Sequence, residues 1–129
     1  MVILLATDGK PHSEKATEYA LDYAALRKED IHVVFAVSPR PDDDKEKMVR
    51  EGMSVLDGLR KRGAKEGVGV VTILEDGNPY EAVLKAADKV KADVIIVGTS
   101  GKTAIDRVLI GSVSEYIVRN SKCTVIVVK

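Results

Sequence analysis

A doubly wound α/β fold is what this 129-residue sequence predicts: one domain, with a five-stranded parallel sheet and helices on both faces. Three observations carry that expectation. Five short apolar runs recur along the chain, rich in β-branched residues and without polar alternation, as strands covered on both faces read. Longer segments with apolar residues at helical spacing separate them. The two kinds alternate as β-α-β-α-β-α-β-α-β, the order that yields parallel strands joined by right-handed crossovers. The length suits a single domain with a buried core, and residues 1–129 read as one unit.

The strands are expected at Val2–Ala6, Ile31–Val37, Val68–Leu74, Val94–Val97 and Thr124–Val128. The first helix follows from "SEKATEYALDYAAL", where Ala16, Tyr19, Ala20, Tyr23 and Ala24 share a stripe and Ser13 suits the N-cap. In "DDDKEKMVREGMSVLDGLRKRG" the stripe is Val49, Met53, Leu56 and Leu59. Its acidic start and basic end suit the helix dipole, while Gly52 and Gly58 each weaken it by about 1 kcal/mol relative to alanine. "NPYEAVLKAADKV" opens with Asn78 as cap, Pro79 in the first turn and Glu81 in capping-box position, with Val83, Ala86, Ala87 and Val90 facing inward. The last helix opens at Ser112, with Glu115 in the same box spacing. Residues 38–47, with two prolines and three consecutive aspartates, read as a loop.

Bulk composition narrows the function classes. Twenty basic against twenty acidic residues give zero formal charge, so no excess positive field exists to release counterions from a nucleic acid. No apolar run approaches the ~20 residues that span a bilayer, and "MVILLATDG" lacks the basic start of a signal peptide. With the single cysteine, Cys123, excluding an internal disulfide, a reducing cytoplasmic location is the expectation, without nucleic-acid or membrane partners.

In an open α/β sheet, ligands collect beyond the carboxyl ends of the strands, at the topological switch point. The first strand ends in Ala6-Thr7-Asp8-Gly9 and the fourth in Val97-Gly98, opening "VGTSGKTAIDRVLIGS". The Gly-Lys-Thr within that stretch suggests a Walker loop, which requires a glycine at position 96 and a helix starting at the threonine. Position 96 is Ile96, and the next strong cap is Ser112. The spacing present is Gly98-x2-Gly101-x9-Gly111-Ser112. It suits an anion cradle: the glycines allow positive φ and close backbone approach, and Ser112, Val113 and Ser114 offer first-turn N–H groups at a positive dipole end.

Here the sequence resembles the universal stress protein family in its nucleotide-binding form. The family's Gly-x2-Gly-x9-Gly-[Ser/Thr] signature is matched by Gly98, Gly101, Gly111 and Ser112. "LLATDG", "GNPYEAVLKAA" and "LIGSVSEYIVRNSKCTVIVVK" extend the likeness over the whole chain, least over the second helix. The resemblance implies strand order 3-2-1-4-5, with ATP between strands one and four. It places Ala6, Thr7 and Asp8 at the adenosine and backbone groups of Val37 at the adenine edge. Val97, Gly98, Ser100 and Gly101 would line ribose and phosphates, and Gly111, Ser112, Val113 and Ser114 would hold the phosphates. Ser100 departs from the family's bulkier polar residue. An acid beside a triphosphate must face the sugar or bridge a Mg2+ ion, so Asp8 is the candidate for either; it also suits a cap of the turn that follows.

The resulting expectation is an ATP-binding regulator of the stress response. The alternative is a slow ATP hydrolase or self-phosphorylating enzyme, for which no catalytic set is visible; His12 reads as a surface residue, and His32 lies at the far end of its strand. A phospho-receiver is a third reading, suggested by Asp8 and Asp76, but it leaves the glycine spacing unexplained. The apolar last strand, Thr124–Val128, would leave a bare edge unless it pairs with its own copy, and the family resemblance agrees with a homodimer.

Overall fold

The first strand, β1 (Ile3–Thr7), runs through the middle of a five-stranded parallel sheet in a computed structural model that describes residues 1–99 and 112–129. Beside it lie β2 (Ile31–Val37) and β4 (Val94–Gly98); β3 (Val70–Asp76) and β5 (Thr124–Val128) form the two edges. The order is therefore 3-2-1-4-5, as expected, and not the 2-1-3-4-5 order of receiver-like folds. The helices α1 (Glu14–Arg27) and α2 (Lys45–Lys65) cover one face, and α3 (Pro79–Val90) and α4 (Ser112–Asn120) the other.

Strand alternation divides the core into two layers. Ile3, Leu5, Ile31, Val33, Val94 and Ile96 point at α1 and α2, while Leu4, Ala6, Val34, Ile95 and Val97 point at α3 and α4. The central strands are buried on both sides, which is why they read as unbroken apolar runs. The edges differ from that expectation: Val71 and Leu74 of β3 are exposed, and β5 is at most half-buried, because no further strand among the described residues pairs with their outer flanks.

The helix caps follow the sequence in part. Asn78 accepts a hydrogen bond from the Glu81 N–H at 2.9 Å, with Pro79 opening α3. Asp44 caps α2 through the Lys47 N–H. Ser13 makes no cap; a 3-10 turn over Pro11–Ser13 leads straight into α1, and the Ser13 hydroxyl donates back to the Lys10 carbonyl at 2.8 Å. Two stripes also shift. Helix α1 buries Ala16, Thr17, Ala20, Leu21 and Ala24, leaving Tyr19 outside to stack on Tyr23 with ring centroids 6.0 Å apart. Helix α2 buries Gly52, Leu56, Leu59 and Gly63, leaving Met53 exposed. Gly52 and Gly63 face the sheet because α2 approaches it closely: a Cβ at Gly52 would stand 2.8 Å from Phe35 and Leu74.

Candidate functional site

The register of the central strands builds a crevice. Pairing between β1 and β4 runs only from Ile3↔Val94 to Leu5↔Ile96. Beyond it each strand stays with its other neighbour: β1 with β2 as far as Thr7↔Phe35, and β4 with β5 as far as Gly98↔Val128. Ala6-Thr7 and Val97-Gly98 therefore part company at the carboxyl end, where the strand order reverses. A cavity of about 260 Å³ opens there.

Its floor is apolar and comes from the α3/α4 side of the sheet: Ala6, Val34, Ala36 and Val97, with Val83 of α3 above them. Its rim is polar: Thr7, Asp8, Lys10, His12 and Ser13 from the β1–α1 connection, Gly98 and Thr99 from the end of β4, and Val113 and Ser114 from the first turn of α4. An apolar slot with a few convergent polar groups and a helix N-terminus on one wall suits a flat aromatic ring carrying an anionic tail.

The β1–α1 connection is held by its own hydrogen bonds. Thr7 is buried, and its Oγ1 lies 3.1 Å from Ser13 Oγ and accepts from the Gly9 N–H at 3.1 Å. The single Ser13 hydroxyl proton goes to the Lys10 carbonyl, so Thr7 donates to Ser13. Gly9 sits at φ +73, and a Cβ there would come 2.6 Å from Val55 of α2, so turn and packing both require glycine. Asp8 Oδ1 accepts from the Lys10 N–H at 2.9 Å, capping the turn, while its Oδ2 lies 2.8 Å from His12 Nε2.

Most of the expected residues in the described chain meet at this crevice. Ala6, Thr7, Asp8, Val97, Gly98, Val113 and Ser114 all line it, and Ser112 opens α4 beside it. Val37 does not: its carbonyl accepts the Gly77 N–H at 3.0 Å, and Ala36 takes its place in the wall. Gly98 is not in the left-handed region, contrary to the role expected for it, and a Cβ there would meet Ala16 at 3.5 Å and the His12 carbonyl at 3.6 Å, ordinary contacts. Ser100, Gly101 and Gly111 lie outside the described residues. Asp76 pairs with Lys45 and is not part of the wall.

The sequence reading missed His12 and Lys10. The signal was present in "DGKPHS": a 3-10 turn begun by Pro11 returns His12, four residues on, to Asp8. It also missed Glu75, a buried acid on β3 that pairs with Lys85 at 3.1 Å and Lys89 at 2.9 Å of α3. The Lys89 hydrogen bond, assisted by Lys85, holds the Glu75 carboxyl below its ordinary pKa against the opposing effect of burial. Among the described residues, no helix is long and apolar enough to cross a membrane, and no three His, Cys, Asp or Glu side chains gather as a metal cluster.

Comparison with known proteins agrees with this geometry. A putative universal stress protein of Staphylococcus saprophyticus is 37% identical over 98% of this chain and 82% of its own length. A universal stress protein of Methanocaldococcus jannaschii is 31% identical over 98% and 81%. The crystal structure of a universal stress protein in complex with cAMP superposes with a TM-score of 0.80 at 27% identity, covering 100% of this chain and 97% of that one. The profile of the Universal stress protein family matches residues 1–129 from end to end, and the chain belongs to that family.

Proposed function

We propose that this protein binds an adenine nucleotide, ATP, in the crevice between β1 and β4 and acts as a nucleotide-dependent regulator in the stress response. The observation that carries the reading is the parting of the two strands beyond Leu5 and Ile96, which opens an apolar floor under a polar rim. The cAMP complex of a family member supports the class of ligand. The purine lies over Ala6, Val34 and Ala36, and the sugar meets Asp8 and its neighbours. The phosphates run along Val97 and Gly98 to the N–H groups of Ser112, Val113 and Ser114, with Ser100, Gly101 and Gly111 completing the cradle. A Mg2+ ion travels with the triphosphate, and Asp8 is the carboxylate that the described wall offers it. The protein acts in the cytoplasm as a homodimer paired through β5.

Acid extraction of the purified protein, with chromatography of the extract at 260 nm, tests the reading. Co-purified ATP supports it, and ADP alone moves the function to hydrolysis. An empty extract, followed by no heat on titration with ATP and Mg2+ and a Gly111→Val variant behaving like wild type, overturns it. Sedimentation at 14.0 kDa across the micromolar range overturns the dimer.

A further inference from the structure

The geometry points to His12 as the residue that reads the sugar of the nucleotide, with Asp8 acting as the positioning residue behind it. This inference rests on the nucleotide reading above. His12 lies on the cavity rim, carried there by the 3-10 turn over Pro11–Ser13, and its ring nitrogen Nε2 is 2.8 Å from Asp8 Oδ2. The other Asp8 oxygen already accepts the Lys10 N–H at 2.9 Å. Each carboxylate oxygen thus has a partner within the β1–α1 connection, and the partner at Oδ2 is a side chain that shares the cavity.

A carboxylate on Nε2 fixes that nitrogen as a donor. The second ring nitrogen, Nδ1, has no hydrogen bond among the described residues and is left for a ligand. A sugar hydroxyl both donates and accepts, so it matches Nδ1 whether the ring is neutral or charged. Thr7 and Ser13 compete poorly for the same role, because their hydroxyl protons are committed to Ser13 and Lys10. One anchor holds the pair in place: Gly9, whose N–H is tied to Thr7. The Asp8 and His12 side chains are 44% and 35% exposed, open to a ligand from solvent.

The test is calorimetric titration with ATP, 2′-deoxy-ATP and 3′-deoxy-ATP, run on the full chain and on His12→Ala, His12→Phe and Asp8→Asn. His12→Phe keeps the ring volume if alanine loosens the turn. Wild type is expected to prefer ATP over at least one deoxy analogue by about 10-fold, the size of one hydrogen bond. Both His12 variants lose that preference while binding the deoxy analogue as before. Asp8→Asn loses it too, and the 15N shifts of His12 lose the Nε2-protonated pattern of wild type, with or without nucleotide. The inference is overturned if wild type does not discriminate, or if the His12 variants keep the preference that Asp8→Asn abolishes, which makes Asp8 the direct reader. It is also overturned in part, for Asp8, if the 15N pattern is unchanged in Asp8→Asn. Wild type binding none of the three nucleotides overturns the nucleotide reading itself, and this one with it.

Discussion

Two glycines on one helix respond in opposite directions to the same substitution. Gly58 and Gly63 both lie within α2, and intrinsic propensity favours alanine over glycine at each by about 1 kcal/mol. Tertiary surroundings decide the rest. A Cβ at Gly58 meets no atom within 4 Å, so Gly58→Ala realises the full gain. For a chain of this length that is about 4 °C in Tm. A Cβ at Gly63 stands 2.6 Å from Val70 Cγ2 and 2.7 Å from the Val68 carbonyl oxygen. That second contact is backbone, and Val68 is bound there because its N–H donates to the Gly63 carbonyl at 2.8 Å. No rotamer change relieves it. Overpacking of this kind costs about 1–3 kcal/mol, so Gly63→Ala is expected to be destabilising by about 0.5–2 kcal/mol after the propensity gain. Urea denaturation with linear extrapolation measures both, with unchanged m-values showing that the folded and unfolded states are still the same species. Equal shifts at the two sites, or a stabilised Gly63→Ala, refute the close approach of α2 to β3.

Glu75 has a folded-state pKa below its unfolded value, so its stabilisation is present above the unfolded value and is lost as pH falls through the folded one. The stability gap between wild type and Glu75→Gln should therefore be widest near neutral pH and close below about pH 4, as read from urea midpoints at each pH; a constant gap contradicts it. Removing both partners, Lys85→Ala with Lys89→Ala, should cost on the order of 1–3 kcal/mol at pH 7, since a buried carboxylate is left uncompensated. Lys28 and Lys91 end α1 and α3 at φ 55, where glycine is less strained, so Lys28→Gly and Lys91→Gly should each raise stability by about 0.5–1 kcal/mol. A fall in Tm for both contradicts the left-handed assignment. Gly98→Ala points its Cβ at Ala16 and the His12 carbonyl at ordinary contact distances and should leave stability within about 0.5 kcal/mol, as read from urea midpoints; a loss above about 1 kcal/mol contradicts that packing.

The sequence by itself determined the element order and the central strands, because apolar runs such as Val2–Ala6 and Val94–Val97 can be buried on two faces in few ways. It located α3 through Asn78, Pro79 and Glu81, a cap whose partners lie within four residues. Asp8 and Gly98 were legible as site candidates because polar and glycine residues interrupt apolar strand tips at a switch point. What depended on distant partners was not legible. Helical spacing put Tyr19 and Met53 inside, but the faces turned to the sheet are filled by Ala16, Thr17, Ala20, Leu21 and Ala24 of α1 and by Gly52, Leu56, Leu59 and Gly63 of α2. Ser13 has the chemistry of a cap, yet Pro11 starts a tighter turn in which the Ser13 hydroxyl donates to Lys10 and accepts from Thr7. Val37 was set at the ligand by its place along β2, but the pleat and the Gly77 hydrogen bond hand that wall to Ala36. His12 reads as an ordinary polar residue until the turn folds it back onto Asp8. Local propensity and period are properties of a few neighbouring residues and survive in the sequence; the partner of a side chain is a property of chain crossings, and only the tertiary structure decides it.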